Sequence, residues 1–171
     1  MTLNLDRYRV NQPYPHVNHV QPDDALIQTL LQPYSGEYSE LTTVLQYAHH
    51  SLCCKQQYNE VSQMMRGIFY VETMHLEFIG DTIIKLGGDP TYVILLQQRK
   101  IAWQPTVISY ETQPDRMLLA DIRGEEGAAE FYEQAAESIE QHDIARLMAR
   151  LALDERLHHR MLTDLYSRFF R

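Results

Sequence analysis

Glu72 and His75 stand three residues apart in Glu72-Thr73-Met74-His75, and Glu155 and His158 repeat that spacing in Glu155-Arg156-Leu157-His158. Side chains three apart on a helix share a face, close enough to hold one metal ion together. The first pair continues an apolar stripe of Val61, Met65 and Ile68, followed by Ile79, Ile83 and Leu86. The second interrupts another, Ile144, Met148 and Leu151, followed by Leu162, Leu165 and Phe169. Both pairs therefore point toward a core, where an uncompensated charge is expensive.

An internal repeat extends the pattern. Glu40 precedes Glu72 by 32 residues, Glu125 precedes Glu155 by 30, and each is followed seven residues later by a tyrosine, Tyr47 or Tyr132. A single Glu-x-x-His is weak evidence in a helical protein. Two of them, each preceded by a core-facing glutamate at nearly the same distance, point to one site built from two halves.

Four carboxylates brought together in a core cannot all stay ionised. Two divalent cations balance Glu40, Glu72, Glu125 and Glu155, with His75 and His158 completing the ligand set. Each ion takes one imidazole, one terminal glutamate and a share of two bridging glutamates. Oxygen-rich ligation with one nitrogen and no thiolate suits manganese or iron. The competing reading, glutamates held by solvent or salt bridges, is opposed by the chain's 15 Lys and Arg residues, few of which fall on these stripes.

Other candidates surround this set. His159 is an alternative ligand beside Glu155, although the repeat favours His158. Asp154 either orients an imidazole of the partner helix or is an exposed helix acid. Tyr47 and Tyr132, as catalytic candidates, hydrogen-bond the cluster or donate electrons; their plainer role is core filling. Glu37 and Glu126 adjoin the stripes without reaching their centres. His16, His19, His49 and His50 lack matching partners and are expected to face solvent. Cys53 and Cys54 are adjacent, so an ordinary disulfide between them is disfavoured, and they read as small helix residues.

The elements that must position these residues follow from periodicity. Residues 1–21 read as an irregular arm, with Pro13 and Pro15 favouring extended backbone. A short helix starts at Pro22-Asp23-Asp24 and runs to about Gln32. A second helix is expected from Ser35 to about Tyr58, with Leu41, Leu45, Ala48 and Leu52 on one stripe and Glu40, Val44 and Tyr47 beside it. Asn59 is the expected N-cap of a third, which ends at Gly87-Gly88 before Pro90. Residues 88–113 form a long crossover containing Trp103 and Tyr110, with no strand expected. Thr112-Gln113-Pro114-Asp115 opens a helix with the stripe Leu118, Ile122, Glu125, Ala129, Tyr132, and Asp143 is the expected N-cap of the last. The expectation is an all-α four-helix bundle of helices exceeding twenty residues, with one long crossover and a short N-terminal helix. Its divisions are 1–32 and 33–171.

At 171 residues and a net charge of -8, the chain suits one domain and carries no basic footprint for nucleic acid. The stretch from Met1 to Val10 has no long apolar run, and no segment is long and apolar enough to span a bilayer. A cytoplasmic protein without membrane association is expected.

On these residues the chain resembles the ferritin-like superfamily, particularly its rubrerythrin and manganese-catalase branch. The resemblance covers about Pro33 to Phe170. Its most specific parts are Ser39-Glu40-Leu41-Thr42 through Gln46-Tyr47, Val71-Glu72-Thr73-Met74-His75-Leu76-Glu77 and Asp154-Glu155-Arg156-Leu157-His158. Carried over, it implies metal ligation by Glu40, Glu72, His75, Glu125, Glu155 and His158, with two manganese or iron ions. It implies a peroxide- or dioxygen-handling oxidoreductase, catalase- or peroxidase-like, or else a ferroxidase, storage or assembly protein with little turnover. A homodimer or larger homo-oligomer also follows from the resemblance. Two departures stand out. Rubrerythrins place an additional glutamate where this chain has Ala128, and no CxxC pair is present for a rubredoxin-type iron.

Overall fold

The computed structural model describes residues 4–97 and 99–170, so residues 1–3 of the expected arm, residue 98 and residue 171 lie outside the described residues. Helices dominate: α1 (Asp24–Ser35), α2 (Glu40–Cys54), α3 (Asn59–Lys85), α4 (Pro114–Ser138) and α5 (His142–Phe170). Between α3 and α4 lies a hairpin of β1 (Val93–Leu96) and β2 (Arg99–Ala102).

Local chemistry sets the helix ends. The Asp23 carboxylate accepts the Leu26 amide at 2.9 Å and starts α1, which continues past Gln32 through Pro33 to Ser35. The Ser39 hydroxyl accepts the Thr42 amide and starts α2 at Glu40 rather than Ser35. With 15 residues, α2 falls short of the expected length. Asn59 is the first residue of α3 rather than its cap, and Tyr58 at the cap supplies no side-chain bond. At its other end Gly87 adopts φ +89°, a conformation that glycine takes without steric cost. The Gly88 amide then donates to Ile83 O and the Gly87 amide to Ile84 O, closing α3 in a Schellman turn. Asp143 does not cap α5; it sits in the first turn, and its carboxylate accepts the Asn18 and His19 amides.

Helix α2 packs on α3 and α4 on α5, with contacts between α2 and α4 and between α3 and α5 closing the bundle. Two apolar clusters result. One gathers Leu30, Leu31, Ile79, Ile83, Ile144 and Leu151; the other gathers Val61, Met65, Ile68, Leu118 and Leu162. A buried aliphatic side chain contributes about 1.5–3 kcal/mol. These two clusters therefore stabilise the bundle, and the polar residues of α3 and α5 fall between them. Of the expected stripe on α2, Leu41 stays buried at the start of the helix, whereas Leu45 and Leu52 turn outward, 38% and 67% exposed, while Glu40, Val44 and Tyr47 face the core.

The hairpin corrects the expectation of a strandless crossover. β1 and β2 pair antiparallel with Val93 opposite Ala102. Four-residue strands carry too little alternation to stand out in sequence, and an isolated hairpin is marginal in water. Here α1 supports it: Ser35 Oγ donates to Val93 O and accepts from Val93 N.

Candidate metal centre

Glu40 opens α2, Glu72 and His75 lie mid-α3, Glu125 lies mid-α4, and Glu155 and His158 lie mid-α5. The bundle brings all six together, none more than 4% exposed. His75 Nδ1 faces Glu155 Oε1 at 2.9 Å, Glu72 Oε2 at 3.3 Å and Glu40 Oε1 at 3.9 Å. His158 Nδ1 faces Glu72 Oε1 at 2.7 Å, Glu125 Oε2 at 3.4 Å and Glu155 Oε2 at 3.6 Å. Glu72 and Glu155 thus each turn one oxygen to either imidazole. Two overlapping groups result, Glu40–Glu72–His75–Glu155 and Glu72–Glu125–Glu155–His158, each with ligand atoms within 4.8 Å of one another and able to hold a metal ion. The imidazoles lie 6.2 Å apart with planes 26° from parallel.

The outer nitrogens are already engaged. His158 Nε2 donates to the Tyr8 carbonyl at 2.7 Å, and His75 Nε2 lies 3.2 Å from Asp154 Oδ2. Both Nδ1 atoms therefore remain to carry a second proton or to offer a lone pair inward. Those two nitrogens, with Glu72 Oε1, Glu125 Oε2 and Glu155 Oε1, are buried and make no hydrogen bond. Buried polar atoms normally find a partner. Five such atoms converging at these distances suit cations, which interact with all of them at once, and the residues fit two divalent ions.

Electrostatics leads to the same place. Burial, with the charges of Glu72 and Glu155, pushes Glu40 and Glu125 well above the ordinary carboxylate range. Burial also works against charge on Glu72 and Glu155, but the flanking imidazoles outweigh it and hold both below that range. His75 and His158 rise well above the usual imidazole value because the carboxylates around them outweigh their own burial. Four glutamates cannot share full negative charge here without compensating positive charge.

Tyr47 and Tyr132 cross the bundle. Tyr47 of α2 donates to Glu125 of α4, and Tyr132 of α4 donates to Glu40 of α2. Burial first, then these carboxylates, pushes both phenols well above their usual range, so both keep their protons. His159 is only partly buried and stays outside both groups, while Glu37 and Glu126 are exposed. Asp154 is fully buried beside His75.

A cavity of about 890 Å³ leads to the cluster, lined deep by Glu40, Glu72, Glu125 and Glu155 and farther out by Tyr38 and Leu96. Val107, Ile108 and Ser109 bring the crossover into the cavity lining. Trp103 anchors the crossover, its Nε1 donating to Thr42 Oγ1 at 3.0 Å.

His50 corrects the expectation of a solvent-facing side chain, because it is fully buried. Its Nδ1 lies 3.0 Å from Asp121 Oδ2, and its Nε2 donates to the Ser109 carbonyl at 2.9 Å. Gln46 joins them, donating to Asp121 at 2.7 Å and accepting the Ser109 amide at 2.8 Å. Asp121 stands one turn before Glu125 on the same inward face, a signal that could have found this pair. The contributions of Tyr8, Val10 and Tyr14 had no such signal, because they come from an arm without periodicity.

The rubrerythrin family model matches residues 116–171, covering most of α4 and all of α5. A manganese catalase from Anabaena PCC7120 superposes with a TM-score of 0.81 at 22% identity, over 92% of this chain and 78% of that one. A mycobacterial bacterioferritin gives 0.70 at 23% identity, over 88% and 90%. The Desulfovibrio desulfuricans bacterioferritin, whose structure displays a diiron site in different catalytic states, gives 0.68 at 24% identity over 84% and 78%. Comparison of the sequence with curated proteins gives no match. The fold is ferritin-like, with a cluster of acidic and histidine side chains suited to metal in the middle of the bundle. The likenesses fall in the rubrerythrin and manganese-catalase branch of that superfamily and among the bacterioferritins.

Proposed function

We propose that this chain binds two divalent ions, manganese or iron, through Glu40, Glu72, His75, Glu125, Glu155 and His158. We read it as an oxidoreductase acting on hydrogen peroxide, catalase- or peroxidase-like. The observation that carries the reading is the pair of overlapping ligand groups sharing Glu72 and Glu155, with both Nδ1 atoms turned inward. Bound there, the ions would supply the electron exchange that protein side chains cannot.

The chain's own residues would do the rest. Glu72 and Glu155 would hold the two ions at one separation, and Glu40 and Glu125 would close the ends. Tyr47 and Tyr132, both lining the cavity, would orient those end carboxylates and keep a proton beside an entering peroxide oxygen. The crossover wall and the partly apolar mouth would admit a small molecule while limiting bulk water.

Oxygen release from peroxide tests this, using protein loaded with manganese or with iron. Release above that of the free ion supports the catalase reading; consumption only with an added reductant supports the peroxidase one. A second reading, a ferroxidase or storage protein with little turnover, is favoured by the bacterioferritin likeness across 88% of the chain. It expects iron(II) and oxygen to give a stable ferric product with negligible peroxide turnover.

Association into a homodimer or larger assembly belongs to the same proposal. The outward Leu45 and Leu52 of α2 support it, and light scattering in solution measures it. Among the described residues no helix is long and apolar enough to cross a membrane.

A further inference from the structure

Residues 8–14 lie outside the cavity lining, yet they reach both candidate imidazole ligands from the outer side. Tyr8 O accepts from His158 Nε2 at 2.7 Å. The Val10 amide donates to Asp154 Oδ1 and the Tyr14 hydroxyl to Asp154 Oδ2, each at 2.6 Å, and Asp154 Oδ2 faces His75 Nε2. Arg150 ties the assembly together. Its Nη1 pairs with Asp154 at 2.8 Å, its Nε donates to Gln12 O at 2.9 Å, and its Nη2 donates to Val10 O at 2.8 Å. The Arg150 guanidinium also lies 4.3 Å from the Tyr14 ring centre.

The arm has a built seat as well as these polar ties. Tyr8 is 7% exposed and packs into the cluster containing Val61, Met65 and Leu162. Its ring lies against Gly67 of α3 so closely that a methyl group there would overlap it. Glycine in a helix interior carries a stability cost relative to alanine. Close approach of Tyr8 is what that cost obtains.

We propose that the arm is a positioning clamp for both ligand imidazoles, so that seating the arm and loading the ions reinforce one another. The inference rests on the dimetal reading. An imidazole binds a metal well when its far nitrogen is held, because the hydrogen bond fixes tautomer and ring orientation. One arm holds both far nitrogens here, directly for His158 and through Asp154 for His75. Tyr8, Tyr14, Asp154, Arg150 and Gly67 are positioning residues on this account. Coupling between two events is reciprocal, so ions that favour the seated imidazoles must also favour the seated arm.

The experiment uses the full chain with manganese(II) alone as the probe. Hydrogen exchange of the amides in residues 8–14 is followed with and without saturating manganese(II), together with bound stoichiometry and affinity. Manganese(II) is expected to slow exchange across the arm several-fold. Gly67→Ala, which favours the helix while displacing Tyr8, is expected to weaken manganese(II) binding by roughly 10–100-fold. Tyr14→Phe, which keeps the ring and removes one tie to Asp154, is expected to weaken it by about 10-fold. If the unaltered chain retains neither manganese(II) nor, in an anaerobic repeat, iron(II), the dimetal reading itself falls and the clamp with it. Two retained ions with unchanged arm exchange and unaltered affinity in both variants would overturn the clamp alone. Should Gly67→Ala fail to fold, Tyr14→Phe and the exchange measurement on the unaltered chain still decide the matter.

Discussion

Tyr132 of α4 donates its hydroxyl proton to Glu40 of α2, and Tyr47 returns the arrangement by donating to Glu125. Each tyrosine is seven residues from a glutamate on its own helix and bonds the one on the facing helix. The two hydroxyls therefore lace α2 to α4, where the bundle opens into its cavity.

Tyr132→Phe and Tyr47→Phe each remove one hydroxyl while conserving the buried ring. Each should lower stability by about 1–2 kcal/mol, the loss expected when a buried carboxylate loses its donor. Because both carboxylates belong to one cluster joined through Glu72 and Glu155, the double variant should depart from the sum of the singles by about 0.5 kcal/mol or more. Urea unfolding of the four proteins measures both statements, and a double variant that costs the plain sum would show that the two bonds act independently.

Glu72 offers one oxygen to each imidazole, so its loss should affect both halves of the site. Adding manganese(II) should raise the melting temperature of the unaltered chain, because binding to the folded state alone stabilises it. Glu72→Ala should abolish that rise and reduce the bound ions below two. Thermal melts with and without the ion provide the check, and an undiminished rise would remove Glu72 from the ligand set.

Arg150 is 2% exposed and paired with Asp154, which is fully buried. Arg150→Ala removes one of the two cationic partners of the Asp154 carboxylate, leaving His75, and takes the guanidinium donors from the Val10 and Gln12 carbonyls. Breaking a buried pair from one side costs about 3–5 kcal/mol. Chemical denaturation should register that loss, whereas an effect below about 1 kcal/mol would show that the buried pair contributes no more than an exposed one.

His50 gives a pH dependence whose sign can be worked out. Burial opposes its charge, but the Asp121 carboxylate and the Ser109 carbonyl outweigh burial and raise its pKa above 6.5. Asp121 is raised too, chiefly by burial, and the two shifts together describe one proton retained between the partners. A raised folded-state value means that the stabilisation contributed by the His50 imidazole is complete below pH 6.5 and is lost as pH rises through the folded value. The crossover tethered at Ser109 should then loosen. Trp103, the chain's one tryptophan, sits on that crossover and reports it by fluorescence. Asp121→Asn should move the transition to lower pH, because burial then opposes the imidazole charge with less compensation, and an unmoved transition would assign it to another group.

Much of the site was legible in the chain because a helix face is a local property. Residues three and four apart align whatever packs against them, so Glu72 with His75 and Glu155 with His158 could be placed on inward faces from spacing alone. Interruption of two apolar stripes by acids, repeated in both halves, was enough to bring Glu40 and Glu125 into the same set. The Schellman close at Gly87-Gly88 and the start of α4 at Pro114 were equally local.

Only the packed structure decided which surface each face meets. It turned Leu45 and Leu52 outward and His50 inward, because α2 is short and the crossover, anchored by Trp103, lies along it. It crossed the tyrosines between helices, since a phenol reaches across the bundle as readily as along its own helix. It seated an aperiodic arm on the outer nitrogens of His75 and His158, through Tyr8 O and Asp154. A backbone carbonyl is common to every residue and carries no mark in sequence. Its role arises from position alone.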